Sequence, residues 1–194
     1  MADQFFWETE MEAETGSYRD GTSIMNETSR SPFQAGREDG DNKQFVEFVL
    51  GHEQFAVDLF HTREVITPSE ITPVPNAPGY ITGIMDLRGL ITTIVDLKKM
   101  MNITSDFEGK KKSRIIILDH DISRKPVGIL VDDVSSVSTI AASDIDRSGD
   151  DKTDKGRNIV GVIRRKGKEG NKEMDKLVLW LDIHAMIEKI ADEI

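Results

Sequence analysis

The chain has 194 residues, no cysteine and a formal net charge of -10. That length supports one well-buried domain with room for two lobes, and the missing cysteines exclude disulfide frameworks, thiolate nucleophiles and thiolate-held zinc or iron–sulfur sites. The acidic balance argues against a general nucleic-acid or anionic-membrane binder, whose affinity comes from lysines and arginines neutralising phosphates.

Residues 1–43 hold ten acids and four bases, with scattered Gly, Ser and Thr. Such a segment cannot bury enough apolar surface to offset its chain entropy, so a disordered acidic tail is expected. It carries the apolar cluster Phe5-Phe6-Trp7, with Met11 one helical turn on. This is read as a loosely sticky tail or, alternatively, a small docking helix. The start MADQFFWETEMEAE lacks the basic and long apolar regions of a signal peptide, and no stretch approaches the ~20 apolar residues of a membrane span. A cytosolic location without membrane insertion is the expectation.

From Gln44 the character changes, and residues 44–194 read as the folded domain. Short β-rich runs follow one another: FVEFVL (45–50), QFAVD (54–58), ITPVP (71–75), ITGIMDL (81–87), LITTIVDL (90–97), RIIILD (114–119), PVGILVDDV (126–134), VSTI (137–140), NIVGVIRR (158–165) and KLVLWLD (176–182). Turn-forming residues separate them. About ten short strands with few helices indicate a closed or sandwich-like β architecture. Three helical pieces are expected, Leu59–Ile66, Leu97–Met101 and Ile183–Ile194, each following an aspartate (Asp58, Asp96, Asp182) able to cap first-turn amides. A short internal repeat runs alongside. Val95-Asp96-Leu97 resembles Leu181-Asp182-Ile183, and each follows a glycine-bearing strand, Gly83-Ile84-Met85 or Gly161-Val162-Ile163, which suggests two similar lobes.

Enzyme chemistry has no positive support. Nucleophile-elbow, zinc-protease and dinucleotide motifs are missing. Gly161 to Lys168 resembles a phosphate loop, but five residues separate its glycines instead of four and Glu169 stands where Ser or Thr should bind magnesium. SDIDRSGDD opens like a calcium loop through Asp144, Asp146, Ser148 and Gly149, yet Lys155 occupies the position that needs a glutamate. His52, His61, His120 and His184 lack metal-ligand spacing to one another, with Asp119-His120-Asp121 the nearest approach to a donor cluster. No metal, cofactor or catalytic residue is expected. The basic clusters Lys110-Lys111-Lys112-Ser113-Arg114 and Arg164-Arg165-Lys166-Gly167-Lys168 are read as solvated turns and not as nucleic-acid sites.

The series QFVEFVLGHEQFAVDLFHTREVI, ITPVPNAPGYITGIMDLRGLITTIVDL and PVGILVDDVSSVSTI resembles the CheW family of chemotaxis coupling proteins. Its most telling pieces are Pro75-Asn76-Ala77-Pro78, Gly83-x-x-x-Leu87-Arg88-Gly89, Ile94-Val95-Asp96-Leu97 and Val127-Gly128-Ile129-Leu130-Val131-Asp132. The resemblance spans residues 44–190. It implies two small five-stranded β-barrel lobes of SH3-like form sharing a core, with short helices and a carboxy-terminal helix. It implies a non-catalytic cytoplasmic adaptor that joins the tips of methyl-accepting chemotaxis receptors to the regulatory domain of the CheA histidine kinase in membrane-associated arrays. The alternative is an interaction module of the same fold serving a kinase with a non-chemotaxis input. A calcium or small-molecule sensor built on the acidic loop is the least favoured reading.

By motif correspondence, Glu64, Gly83, Arg88 and Val131 are expected at a receptor-binding groove, with Glu64 on a helix and ion-paired to Arg88. Val134, Val137 and Ile140 are expected at an apolar kinase-binding patch. Gly89 is expected to supply the positive φ of the Arg88-Gly89 reversal. The chain departs from the family at Asp133, where a small residue is frequent. It departs again in the acidic 146–157 loop, which lacks the apolar residue that can serve ring contacts.

Overall fold

Alternation along FVEFVL puts Val46, Phe48 and Leu50 on one face of a strand and Phe45 and Glu47 on the other, and both faces are buried. A strand buried on two sides needs a layer on each, and the topology supplies them. The structure, a computed structural model, describes residues 42–104, 113–147, 158–169 and 172–191. The strands are β1 (Asn42–Leu50), β2 (Glu53–Asp58), β3 (Thr62–Ile66), β4 (Ile81–Leu87), β5 (Leu90–Asp96), β6 (Arg114–Leu118), β7 (Val127–Val131), β8 (Asp133–Ala141), β9 (Ile145–Asp146), β10 (Ile159–Glu169) and β11 (Lys172–Leu181). Helix α1 is Leu97–Met100 and α2 is Ile183–Glu188. One sheet is ordered β3-β6-β7-β5-β4 and the other β8-β1-β2-β11-β10-β9. The second lobe thus has a sixth, two-residue strand beyond the five expected, and it is built from both ends of the domain.

Three apolar clusters explain the arrangement. Met85, Ile94, Ile115 and Ile117, with Ile66, Leu87 and Leu130 against them, draw on all five strands of the first sheet. Phe45, Ala56, Ile140, Ile163, Val178 and Trp180, with Ile145, draw on all six of the second. A sheet whose two edge strands reach the same cluster is curled around it. Between the sheets lies a shared core to which β1, β2, β5, β6, β7, β11 and α2 all contribute, including Phe48, Phe55, Val95, Ile116, Ile129 and Ile183. Asp132, in the crossover from β7 to β8, links the lobes by polar contacts. Its carboxylate accepts from the Gly51 amide at 2.7 Å and pairs with Lys98 of α1 at 2.6 Å.

The three aspartates act as caps: Asp58 accepts from the Phe60 amide, Asp96 from Lys99 and Asp182 from Ala185. Two expected elements are corrected. The run from Leu59 makes only a 3₁₀ turn, Leu59–His61, before TREVI becomes β3, antiparallel to β6. Its β-branched Thr62, Val65 and Ile66 suit that pairing better than a helix. ITPVP is not a strand but an exposed segment joined to β4 by one bridge, Thr72 to Ile84, since Pro73 and Pro75 have no N–H to give a ladder. The N-terminal tail, Lys110-Lys111-Lys112, residues 148–157 of the acidic loop and Ile194 lie outside the described residues.

The internal repeat has a structural counterpart. In each lobe an antiparallel hairpin, β4–β5 or β10–β11, ends in an Asp-capped helix, and its second strand also pairs in parallel with a neighbour, β7 or β2. Register shifts occur before Gly83 and before Gly161. In each case the next residue pairs with a covering segment, Ile84 with Thr72 and Val162 with Asp146. A Cβ at Gly83 would stand 2.3 Å from the Thr72 carbonyl oxygen, and one at Gly161 2.9 Å from that of Asp146. Both glycines admit a close backbone approach.

A buried ion pair escaped the sequence reading. Glu47, on the interior face of β1, receives Arg165 Nη1 at 2.8 and 2.9 Å on its two oxygens, together with the hydroxyls of Ser136 and Ser138. Glu47→Ala strands those donors. The expected loss is roughly 2–3 kcal/mol in urea unfolding, below the ~3–5 of a fully buried pair because Arg165 is partly solvated. A change below ~0.5 kcal/mol would show the network to be dispensable. Gly83→Ala, pressed against backbone, should lose about 1–3 kcal/mol, whereas Gly79→Ala, with open space around it, should stay within ~0.5.

Candidate functional site

Strands β4 and β5 are joined by two residues, Arg88 and Gly89, with φ of 56° and 85°. Positive φ at both central positions is what a primed hairpin turn requires, because it matches the twist of the strands. Gly89 adopts it freely, and its amide donates to Asp86 Oδ1 at 2.6 Å. Arg88 shares the left-handed conformation, which the sequence reading assigned to the glycine alone. For a residue with a Cβ this costs about 1–2 kcal/mol. A strained residue persists where something else fixes it.

That something includes Glu64. Arg88 Nη2 donates to Glu64 Oε2 at 3.0 Å and Nη1 to Oε1 at 3.3 Å, so the guanidinium fork spans both oxygens. Glu64 lies on β3 and not on a helix. Because β3 and β4 are the two edges of the five-stranded sheet, the pair ties those edges together. The carboxylate is 20% exposed and the guanidinium 75%. An ion pair this open contributes at most about 1 kcal/mol, which is no more than the turn costs. Stability alone therefore does not account for arginine at position 88.

Around the turn the surface is apolar. Leu90 and Ile91, the first residues of β5, are 48% and 59% exposed. They face opposite sides of the hairpin, opposite Leu87 and Asp86 respectively. The sequence reading missed them, since LITTIVDL offers no sign that its first two apolar residues overhang the sheet while Ile94 and Val95 are core. Two other groove assignments are corrected. Gly83 is buried, with the Thr72 carbonyl filling the space of its missing side chain, and Val131 is buried in the shared core. Neither offers surface to a partner.

The second apolar patch lies on β8, an edge strand of its sheet. Glu47 pairs with Ser136 but Phe48 with Val134, so Ser135 is an extra, bulged residue. The bulge brings Val134 and Val137, three apart, onto one face, the face of their partners Phe48 and Val46. Val137 is 49% exposed and Val134 partly so. Ile140 falls on the opposite face and is buried with Phe45, Ile163 and Trp180, which corrects its assignment to the patch.

Asp119, His120 and Asp121 do bring three donor atoms within 4.8 Å of one another. The Asp119 carboxylate is engaged within this turn, by His120 Nδ1 at 2.8 Å and the Asp121 amide at 3.1 Å. Among the described residues, no helix is long and apolar enough to cross a membrane.

Two exposed apolar patches, one beside a strained, ion-paired arginine and one on a sheet edge, are the features of a protein that docks other proteins. Comparison with known proteins gives the same direction. A family model for the CheW-like domain matches residues 44–191. The chain is 32% identical to the chemotaxis protein CheW of Thermotoga maritima over 76% of its own length and 89% of that protein's. It is 24% identical to CheW of Helicobacter pylori over 80% and 89%. It is similar in fold to the crystal structure of scaffolding protein TtCheW from Thermoanaerobacter tengcongensis, with a TM-score of 0.62 and 30% identity, covering 78% of this chain and 97% of that one. The chain belongs to the CheW family of chemotaxis adaptor proteins.

Proposed function

We propose that this adaptor couples chemoreceptor cytoplasmic tips to the regulatory domain of the CheA histidine kinase, in the cytoplasm at membrane-associated receptor arrays and without chemistry of its own. The observation that carries the reading is Arg88, held in a strained turn by Glu64 and flanked by exposed Leu90 and Ile91. A receptor tip is a helical hairpin. Its apolar stripe would rest on the aliphatic side chains while Arg88 meets a carboxylate or carbonyl on its polar flank. Glu64 serves by fixing the direction of the guanidinium. The kinase domain, of related fold, would take the β8 patch of Val134 and Val137, whose unpaired edge and aliphatic surface suit a flat β partner.

Arg88→Gly separates contact from stability, because it relieves the positive φ while removing the ion pair. Urea unfolding should place it within ~1 kcal/mol of the parent, and Arg88→Ala about 0.5–1 kcal/mol lower. Both should bind a purified receptor cytoplasmic fragment at least about tenfold more weakly, equivalent to ~1.4 kcal/mol, and keep the kinase domain. Val137→Glu should show the reverse, losing the kinase domain and keeping the receptor fragment. Parental receptor binding by Arg88→Gly would remove Arg88 from the receptor contact, and global unfolding of that variant would make it a structural residue; either result would defeat the proposal.

A further inference from the structure

The cluster Phe5-Phe6-Trp7 has no place in the adaptor reading, and the fold has a hollow with aliphatic and methionine side chains in its walls that the reading does not use. Between the two sheets Met100, Met101 and Ile103, in and after α1, face Ile159 and Leu179 of the other lobe across a cleft of about 370 Å³. A second hollow of about 510 Å³ adjoins it, with Glu53 and Leu179 lining both. There Leu177 stands 57% exposed beside Lys176. This groove begins where β5 ends, whereas Arg88 precedes the start of β5. The seven residues of that strand set the two sites roughly 20 Å apart.

We propose that the groove is the docking site of this chain's own amino-terminal segment, with Phe5, Phe6 and Trp7 seated on its aliphatic and methionine lining. Three observations select that occupant. The lining sets Met100, Met101, Ile103, Ile159 and Leu179 among the polar Glu53, Asn102 and Asn158, and its two adjacent methionines are adaptable, which suits flat aromatic rings, each burying some 150–250 Å². The segment's charge is complementary to the rim. Residues 1–14 carry Asp3, Glu8, Glu10, Glu12 and Glu14 and no lysine or arginine. Lys176 lies at one end of the groove, and at the other Lys189 reaches Asn158 of the lining. Glu53 lies between, where apolar contact and not charge must hold the segment. The tether is also long enough. Thirty-four residues separate Trp7 from Asn42, a reach of up to about 110 Å. From Asn42 the groove is no farther than the length of β1, about 30 Å. Tethering makes the docking intramolecular, at an effective concentration near the millimolar range.

Trp7 reports on this directly. The protein's other tryptophan is Trp180, so the difference in emission between the full-length chain and its Trp7→Phe variant isolates Trp7. Docking predicts a blue-shifted Trp7 spectrum protected from acrylamide and unchanged on dilution. Both the blue shift and the protection should be lost in Leu177→Glu and weakened in Lys176→Glu, with the far-ultraviolet circular dichroism of each variant unaltered. A solvent-like Trp7 in the parent would overturn the proposal. So would protection that survives Leu177→Glu, which would place the segment elsewhere, or protection that disappears on dilution, which would make the occupant a second copy. Should Leu177→Glu fail to fold, Met101→Glu in the facing wall provides the same test.

Discussion

The shared core between the two sheets is the constraint from which the rest follows. Phe48, Val95, Ile116, Ile129 and Leu181 point into it from strands whose alternate residues point into one lobe's own interior. With both faces of the central strands committed in this way, a lobe that lost its neighbour would expose an apolar face as large as the one it buries inside. The lobes are therefore one folding unit, and Asp132, bound to Gly51 in one and Lys98 in the other, fixes how they meet. It also follows that partners must use what the core leaves free: turns, strand ends, sheet edges and the rim of the inter-lobe cleft. The proposed docking surfaces are all of that kind.

Each lobe has an ion pair that ties its own strands together, and their surroundings separate their roles. Glu47 and Arg165 meet at a nearly water-free carboxylate with two serine hydroxyls completing its shell. Removing the acid leaves buried donors unmet, so that pair is integral to the fold. Glu64 and Arg88 meet in open solvent beside a turn that would be cheaper with glycine at both positions. Its net value to the fold is close to zero, and its product is the fixed orientation of a guanidinium on an apolar surface.

What could be read from the sequence was whatever local chemistry decides. The three aspartate caps were legible because a carboxylate before a short helix has one evident task, and the hairpin at Arg88-Gly89 because two apolar runs flank it. The repeat was legible as well, and the structure adds its reason, the matched backbone approaches at Gly83 and Gly161. TREVI was misread as helix because the pairing that makes it a strand comes from β6, about fifty residues away. Val131, Ile140, Leu90 and Ile91 could not be sorted into core and surface from pattern alone. Burial on both faces makes every position apolar, and the bulge at Ser135 shifts the alternation partway along β8. The Glu47–Arg165 pair spans 118 positions, and its only sign in the sequence was an acid sharing a strand face with Phe45.

The central claim is that the Glu64–Arg88 pair serves contact and not folding. A double-mutant cycle with Glu64→Gln and Arg88→Gly, measured in parallel for urea unfolding and for binding of a receptor cytoplasmic fragment, isolates the pairwise energy in each. The account predicts a coupling below ~0.5 kcal/mol in unfolding, in line with other exposed pairs, and a coupling above ~1 kcal/mol in binding, where the pair is covered by its partner. A cycle with the coupling in unfolding and none in binding would contradict it.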